Sequence, residues 1–359
     1  MQTWNIFCRV IDNHGDIGVC WRLACDLASR GQTVRLWADD TSALAWMAHG
    51  GCANVEVRAW TEPPDLRGVE GAGVLLEAFG CTPPDEVVAI FSEANNHYMT
   101  GDEGTFCSWI NLEYLTAEGF AERAHGLPSP VTVGAGRGLV KRFFYPGFTA
   151  RTGGLIRESD LLARQARFDR DVWLASQRIA FRGERLISLF CYEPAVLGSL
   201  LDQLAASPMP TRLLVTAGRA AAAVQALTAG ARAQESLAID YLPRLSQHDF
   251  DHLLWACDCN FVRGEDSLAR ALWAGRPFVW QIYPQHDGAH EAKLDALLDW
   301  LDAPPTLRQF HRSWCGLSDA PLPSLELAAW RQAARNGRDR LLAQDDLTTT
   351  LLRFVAEKR

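Results

Sequence analysis

The sequence predicts an α/β protein with two domains, each built on a mostly parallel sheet flanked by helices. Three observations predict this fold class. The chain has 359 residues, which is enough for two domains of about 150 residues each. Short apolar runs alternate with amphipathic segments along both halves of the chain. Each half also contains an apolar strand that leads through a glycine-containing turn into a helix, at residues 4–30 and 259–274.

The first half opens with a strand from Trp4 to Ile11, a polar turn and a helix that ends near Arg30, where Gly31 is typical of a helix end. The elements that follow are strands at 33–38 and 55–59, a helix at 42–48 and strand-like apolar runs at 73–77, 87–91 and 109–112. The stretch at 128–154 is rich in proline, glycine and aromatic residues, so it predicts a long functional loop.

The second half repeats the alternation after a helix at 160–177. Its predicted strands are 185–191, 212–216, 237–242, 259–262 and 277–281, and its predicted helices are 194–206, 220–229, 249–256 and 267–274. An amphipathic helix at 325–357 is long enough to cross from one domain to the other. Ligands in open α/β sheets bind outside the carboxyl ends of the strands, so the expected site is the cleft between the domains.

Charge is distributed unevenly along the chain. Lys and Arg together number 35, against 43 Asp and Glu, which gives a net charge of −8. Residues 1–160 carry 12 basic and 20 acidic side chains, whereas residues 161–359 carry 23 of each, so the acidic excess lies in the first half. An acidic surface repels phosphate backbones and attracts basic partners. Nucleic acid is therefore not an expected partner, whereas a basic protein is.

Cysteine usage and hydropathy bear on the compartment. The ten cysteines are scattered, and the closest pair, Cys257 and Cys259, has one intervening residue rather than the two of a zinc or redox motif. This usage predicts a reducing environment. No apolar run approaches the roughly 18 residues of a membrane span, and the N-terminus has the pattern of a strand rather than a targeting segment. The sequence therefore predicts a cytoplasmic protein that engages no membrane.

Two carboxylates closely follow the first strand. Asp12 and Asp16 lie within one turn of chain, with Asn13, His14 and Gly15 between them. Neighbouring carboxylates can divide roles, one fixing a substrate and the other accepting a proton. Asp16 is equally well placed to cap the following helix, and the two roles can coexist. The turn lacks the G-x-G-x-x-G pattern, which argues against a nicotinamide-binding domain.

A second turn, from Arg263 to Ser267, connects a strand to a helix whose first amides and Ser267 hydroxyl are expected to face outward. Such a helix start binds phosphate through its amides and dipole, and Arg263 and Arg270 are candidates to neutralise a diphosphate. A diphosphate would repel Glu265, so this residue is expected to face sugar hydroxyls or a cation. The alternative is an ordinary helix start with acidic residues in its first turn.

Aromatic residues follow other strands of the second half. Tyr192 and Tyr283 stand in strand-end loops, where their hydroxyls can bind phosphate oxygens, and Phe190 or Phe250 can stack on a base. The alternative for these aromatics, and the favoured one for Phe250, is core packing.

The ordered set of motifs resembles one family, the protein-arginine rhamnosyltransferases of bacterial elongation factor P, over nearly the whole chain. The resemblance rests on Asp12–Gly18, Phe190–Glu193, Arg263–Ser267 and Tyr283–His286. It implies a GT-B glycosyltransferase with two facing Rossmann-like domains. It also implies inverting transfer of rhamnose from dTDP-rhamnose, held by the C-terminal domain, to one arginine of elongation factor P, docked on the N-terminal domain. No metal or other cofactor is expected in such an enzyme.

The resemblance also assigns roles to residues. Asp12 and Asp16 match the family's N-terminal catalytic aspartates, and Glu265 matches its catalytic glutamate. The expected substrate-binding residues are Asn13, His14, Gly15, Phe190, Tyr192, Gln247, Phe250, Arg263, Gly264, Asp266, Ser267 and Tyr283. We expect Asp16 to act as the base, Asp12 to orient the guanidinium and Glu265 to assist from the opposite domain.

The expected domains are an acceptor-binding domain at 1–155, a linker helix at 156–178, a nucleotide-sugar domain at 179–325 and a helical segment at 326–359 that packs back toward the first domain. Three other functions share parts of the pattern. A GT-B enzyme with another nucleotide sugar or a small acceptor would share every motif. A non-catalytic acidic binding module would keep the charge without the chemistry. A nicotinamide oxidoreductase would have only Asp39, after the second strand, as a ribose-binding candidate.

Overall fold

The computed structural model of the chain describes residues 2–11, 14–69, 73–100, 106–229, 236–284 and 288–357. It divides into two compact units. The first unit comprises Met1–Ser159 and Gln344–Arg359, and the second comprises Asp160–Ala343. These boundaries differ in position from the expected ones, because the helical region after residue 160 and the segment up to residue 343 both group with the second unit.

The first unit is a parallel α/β sheet with one antiparallel edge. Its strands are β1 (Thr3–Cys8), β2 (Thr33–Ala38), β3 (Val55–Ala59), β4 (Gly73–Ala78), β5 (Cys107–Leu112), β6 (Pro128–Pro130) and β7 (Val140–Phe144), and its helices before residue 159 are α1 (Gly15–Ser29), α2 (Leu44–Met47), α3 (Asp85–Thr100) and α4 (Gly119–Ala124). Within the described residues the strand order is β3-β2-β1-β4-β5-β7-β6, and only the β6–β7 pair is antiparallel. The direction of winding therefore reverses between β1 and β4.

Helices cover both faces of this sheet. On one face, Leu23 and Leu27 of α1 pack with residues of β1 and β2. On the other face, Phe91 of α3 packs with Phe7 and Trp109. Every residue of β4 is buried, as expected for a parallel strand that is covered on both sides.

The end of α1 confirms the prediction made from Gly31. This glycine has a φ of 81°. Glycine adopts this left-handed conformation at little energetic cost because it has no Cβ. Its N–H donates to the carbonyl of Ala28 over 3.0 Å, and the N–H of Gln32 donates to the carbonyl of Leu27 over 3.1 Å. This pair of bonds is a Schellman motif, which satisfies carbonyls that the helix leaves unpaired.

The second unit is a smaller parallel sheet. Its strands are β8 (Arg185–Leu189), β9 (Thr211–Val215), β10 (Leu237–Tyr241), β11 (Cys259–Arg263) and β12 (Phe278–Gln281), and its helices are α5 (Leu161–Arg167), α6 (Arg170–Ser176), α7 (Leu197–Ala205), α8 (Arg219–Thr228), α9 (Gln247–Ala256), α10 (Gly264–Ala274), α11 (Ala289–Trp300), α12 (Pro305–Trp314) and α13 (Leu327–Leu342). Within the described residues the order is β10-β9-β8-β11-β12, all parallel. Here the winding reverses between β8 and β11.

Two predicted elements of the first unit were wrong. The apolar run at 87–91 lies inside α3, because Val87, Val88 and Phe91 share one helix face and pack into the core together. The stretch at 128–154 is not one loop, since it contains β6 and β7 at the edge of the sheet. An edge strand tolerates proline because it does not need every amide for pairing.

The predicted helix at 325–357 was also wrong, since it consists of α13 and a further helix, α14 (Leu347–Glu357). Asp346 accepts a hydrogen bond from the backbone N–H of Thr349 over 2.9 Å, which is the bond of a helix N-cap, so a new helix starts there. In the second unit, Trp330 of α13 packs edge-on against Phe310. In the first unit, Leu351 and Val355 of α14 join the α1 core. None of the described helices has the length and apolarity needed to cross a bilayer.

Candidate active site

Most of the predicted site residues are placed by the reversals of strand order. In parallel α/β sheets, ligands bind beyond the carboxyl ends of the strands at the point where the winding reverses. In the first unit this point is beyond β1 and β4, and the loop after β1 leads into α1. In the second unit it is beyond β8 and β11, whose following segments begin at Phe190 and Gly264.

Asp16 is a buried carboxylate at the first of these points. It is the second residue of α1 and is only 4% exposed. Its Oδ2 accepts the backbone N–H of Ile11 over 2.9 Å. The N-cap of α1 is His14, which makes no side-chain cap bond. Asp16 therefore connects the chain after β1 to the start of α1, instead of only capping the helix. Its carboxylate lies at the carboxyl edge of the sheet. Asp12 and Asn13 lie outside the described residues.

His14 and Gly15 flank this carboxylate. The His14 ring is half-buried and packs edge-on against Trp46, with 5.7 Å between ring centroids. Its Nδ1 is buried and accepts or donates no hydrogen bond among the described residues. A Cβ added at Gly15 would meet no atom of the described residues within 4 Å. Among those residues, nothing covers the backbone of α1 at Gly15.

Asp39 holds the same loop from the neighbouring strand. Its Oδ1 accepts the backbone N–H of Val10 over 2.9 Å, and its carboxylate lies 4.0 Å from Arg9. Asp39 thus serves the β1 loop, which gives it a structural function that does not require a ribose.

Arg263 is the centre of the second candidate site. Its guanidinium carbon lies 4.5 Å from the ring centroid of Phe190 and 4.6 Å from that of Tyr192. Its Nη1 donates to the carbonyl of Cys191 over 3.1 Å. Two aromatic faces and a carbonyl therefore fix the guanidinium between the ends of β8 and β11. A guanidinium held in this way can neutralise phosphate charge without first being ordered.

A second arginine, which the sequence analysis missed, also contacts the Tyr192 ring. The Arg219 guanidinium lies 5.1 Å from the Tyr192 ring centroid and is paired with Glu193 through its Nε and Nη2 atoms. This pairing lowers the pKa of Glu193 and raises that of Arg219. A signal was present in the sequence, because a glycine marks both strand-to-helix turns: Gly218 lies between β9 and Arg219, and Gly264 directly follows β11. Tyr283, half exposed, packs edge-on against Tyr192 with 5.6 Å between centroids.

Phe250 reaches the site from α9, and Gln247 lies at the start of the same helix. Ser246 accepts the backbone N–H of Asp249 over 3.1 Å, and this N-cap makes Gln247 the first residue of the helix. Phe250, one turn further on, packs edge-on against Phe190 with 5.4 Å between centroids. It also packs against the core beneath it. The predicted core role of Phe250 is thus confirmed, and the same ring supports the aromatic wall on which Arg263 lies.

The start of α10 differs from the expectation at Ser267. Gly264 has a φ of 68°, which turns the chain sharply from β11 into the helix, and its carbonyl accepts the Trp280 Nε1–H over 2.8 Å. The Ser267 side chain is 4% exposed, accepts the N–H of Arg263 over 3.1 Å and donates to the Arg263 carbonyl. The expectation that this hydroxyl faces outward was wrong, because both of its hydrogen bonds are made to the backbone of Arg263 and stabilise the turn. Asp266, half-buried, remains in the first turn.

The expectation that Arg270 neutralises a diphosphate was also wrong. Arg270 is 2% exposed and makes two hydrogen bonds, of 2.7 and 2.6 Å, to the 1% exposed carboxylate of Asp251. Arg164 lies 3.3 Å from the same carboxylate. A buried charge needs a hydrogen-bonded partner of opposite charge. For Arg270 that partner is Asp251 rather than a bound diphosphate. Arg270 ties α10 to α9.

Glu265 faces a cation, which is one of the two expected outcomes. It stands in the first turn of α10 and forms an ion pair with Lys293 of α11. Both side chains are mostly buried, with 22% and 18% of their surfaces exposed. The sequence analysis missed Lys293 because nothing in the local pattern of α11 connects it to a turn 28 residues away.

Comparison with known proteins identifies the family of this chain. A model of the EarP family, the elongation factor P rhamnosyltransferases, matches residues 4–356. The chain belongs to this family. A protein-arginine rhamnosyltransferase of Pseudomonas aeruginosa is 41% identical to it over 390 aligned positions, which cover 99% of this chain and 100% of that protein.

Solved structures agree with the family. The structure that describes EarP-mediated arginine glycosylation of translation elongation factor EF-P is 31% identical, covers 100% of both chains and has a TM-score of 0.66. The glycosyltransferase SsfS6 of Streptomyces sp. SF2575, complexed with thymidine diphosphate, is 11% identical, covers 99% of this chain and 100% of its own, and has a TM-score of 0.53. The latter likeness concerns the fold alone, which is the GT-B glycosyltransferase fold.

The family assignment decides between the alternative functions. The chain is a protein-arginine rhamnosyltransferase, so both the nicotinamide oxidoreductase and the non-catalytic acidic module are wrong. The site residues fit this class chemically. A guanidinium acceptor requires carboxylates, which the α1 region supplies, and a nucleotide-sugar donor requires cations and aromatic surfaces, which the β8 and β11 ends supply.

Proposed function

We propose that the protein transfers L-rhamnose from dTDP-rhamnose to one arginine side chain of elongation factor P, with inversion at the anomeric carbon. The observation that carries the proposal is the placement of both residue sets. Asp16 lies at the strand-order reversal of the first sheet, and the Arg263 cluster lies at the reversal of the second. Each set matches the chemistry of one substrate.

The first unit supplies the base. An arginine guanidinium has a pKa above about 12 and is a poor nucleophile while its charge is delocalised. Asp12, four residues before Asp16 in the sequence, orients the guanidinium. As one guanidinium nitrogen forms its bond to the anomeric carbon, Asp16 accepts the proton from that nitrogen. The product keeps the nitrogen–carbon bond and remains a guanidinium cation, because the glycosyl group has replaced one proton. The carboxyl later releases that proton to water.

The second unit holds the donor and its leaving group. The bond between the anomeric carbon and the diphosphate oxygen breaks with its electron pair going to dTDP, so negative charge grows on the diphosphate. Arg263 and the amides of the first turn of α10 are suited to stabilise that charge. Attack from the side opposite the leaving oxygen inverts the anomeric carbon. Phe190 and Phe250 are the surfaces on which we place the thymine.

The charge distribution of the chain supports a protein acceptor that presents arginine. Residues 1–160 carry a net charge of −8, whereas the rest of the chain is neutral overall. A negative field attracts a positively charged loop and raises its rate of association. The first unit, which contains most of these residues, is therefore where we place elongation factor P.

Mass spectrometry of the intact acceptor tests this function. Purified elongation factor P is incubated with the enzyme and dTDP-rhamnose, and in parallel with dTDP-glucose or UDP-glucose. We expect a single deoxyhexose on one arginine, located by tandem mass spectrometry, with dTDP-rhamnose only. NMR of the sugar should give opposite anomeric configurations in donor and product. An unmodified factor, or modification by the glucosyl donors at equal rates, would contradict the proposed substrates, and retained configuration would contradict inversion.

A further inference from the structure

The ion pair between Glu265 and Lys293 is the observation from which a new role follows. Glu265 is the second residue of α10, directly after the sharp turn at Gly264, and Lys293 reaches it from α11. The two side chains are hydrogen-bonded and mostly buried. Water screens a mostly buried pair less than a surface pair, so the attraction is stronger and the geometry is held more tightly.

The surroundings of Glu265 explain why it needs this partner. The first turn of α10 carries two acidic residues, Glu265 and Asp266, shortly after Arg263 in the chain. A donor diphosphate at this helix start would repel a free Glu265 carboxylate and turn it away. Arg270, the basic residue of α10, is bound to Asp251 and is buried. Lys293 therefore supplies the positive charge that keeps Glu265 in place.

We propose that Lys293 is a positioning residue for rhamnosyl transfer: by pairing with Glu265 it holds that carboxylate toward the sugar against the repulsion of the diphosphate. The inference rests on the proposed function, because it needs a nucleotide-sugar donor at α10. Lys293 acts through Glu265 and does not itself bind the diphosphate. It is one of three lysines in the chain, and arginine carries nearly all the remaining positive charge.

The packing of α11 does not depend on this pair. Leu294, Leu297 and Leu298 bury one face of the helix. On another face, Arg312 binds Asp295 over 3.0 Å, and Arg308 pairs with Asp299 over 2.7 Å, so α12 fastens α11 through separate contacts. Replacing Lys293 should therefore leave the fold intact, and Arg308→Met is a matched control that removes an ion pair of α11 away from Glu265.

The test compares Lys293→Met, Lys293→Arg and Arg308→Met in steady-state rhamnosylation of elongation factor P, with melting temperature as the check on folding. We expect Lys293→Met to lower kcat about 10- to 100-fold while KM for dTDP-rhamnose changes less than about threefold. Lys293→Arg should recover most of kcat, because arginine can make the same pair. Arg308→Met should keep wild-type kcat.

Two further measurements decide the outcome. In a double-mutant cycle with Glu265→Gln, Lys293→Met should add little to the loss already caused by Glu265→Gln, because Lys293 acts only through the Glu265 carboxylate. Calorimetry should give the same Kd for dTDP in Lys293→Met as in the wild type. The proposal would be overturned if the fold-losses of kcat in the two single variants multiplied in the double variant. Weaker binding of dTDP or an unchanged kcat in Lys293→Met would overturn it as well. If the wild type itself transferred no rhamnose, the proposed function would fail instead.

Discussion

At the scale of single residues, the site depends on how arginine side chains are partnered. Arg263 lies between two aromatic rings, 4.5 and 4.6 Å from their centroids, and is half-buried. Arg270, seven residues further on, is buried and paired with Asp251. The sequence offers no way to distinguish these two fates, because both arginines stand near the same helix start and only tertiary contacts separate them.

The substitution Arg263→Lys tests the stacked guanidinium. Lysine keeps the charge but loses the planar group that lies on Phe190 and Tyr192, and it cannot offer paired donors to a diphosphate. We expect KM for dTDP-rhamnose to rise about tenfold, with a smaller change in kcat. The measurement is donor saturation at fixed elongation factor P.

Arg340→Lys is the control for this substitution. Arg340 lies 4.8 Å from the centroid of Trp300, so the control removes a similar stacked arginine from the same unit. Its donor KM should equal that of the wild type. If Arg263→Lys left the donor KM unchanged as well, the assignment of Arg263 to the diphosphate would be wrong.

At the scale of elements, α12 is fastened to β12 by one buried histidine. His311 is 0% exposed. Its Nε2 accepts the backbone N–H of Trp280 over 3.0 Å, and its Nδ1–H donates to the carbonyl of Leu307 over 3.0 Å. These two bonds require the neutral ring. Burial lowers the pKa of His311 from 6.5 to about 4.

This histidine predicts a loss of stability in acid. As the pH falls below 6.5, the unfolded chain takes up a proton on His311 while the folded chain does so only near pH 4, so protonation favours unfolding. Between pH 7 and pH 5, the wild type should lose about 2 kcal/mol more unfolding free energy than His311→Gln. Urea denaturation at the two pH values measures this difference. The exposed His49→Gln should follow the wild type, and parallel losses in wild type and His311→Gln would refute the account.

Local sequence signals predicted most elements of the sheets and failed where tertiary context decides. Gly31 ended α1 as predicted, because the left-handed φ that a Schellman motif needs favours glycine. The run at 87–91 is too short for its period to separate a strand from a helix. The prolines of β6 concealed an edge strand, and Asp346 marked a helix start inside what the apolar periodicity presented as one long helix.

At the scale of the whole molecule, two mostly parallel sheets, each with a reversal of strand order, account for where the candidate residues lie in each unit. The sequence predicted both α/β units and the loops that follow β1, β8 and β11, because each combines an apolar strand with a glycine-containing or polar turn. It did not predict the partners of the side chains. Ser267 bonding back to Arg263 and Lys293 reaching Glu265 join residues whose pairing depends on the folded positions of different elements.

Membership of the EarP family and these two sites lead to one central claim: the first unit supplies the base and the second unit holds the donor. The two roles are separable by experiment, since a base variant should bind donor normally. Asp16→Asn keeps the size of the side chain and an oxygen that can still accept the Ile11 N–H, so the fold should survive while the proton acceptor is lost.

The most direct measurement is single-turnover transfer of rhamnose to elongation factor P by Asp16→Asn with saturating dTDP-rhamnose. The account predicts a rate at least about 100-fold below that of the wild type, with wild-type melting temperature and unchanged affinity for dTDP. Transfer at the wild-type rate, or a loss explained entirely by weaker donor binding, would contradict it.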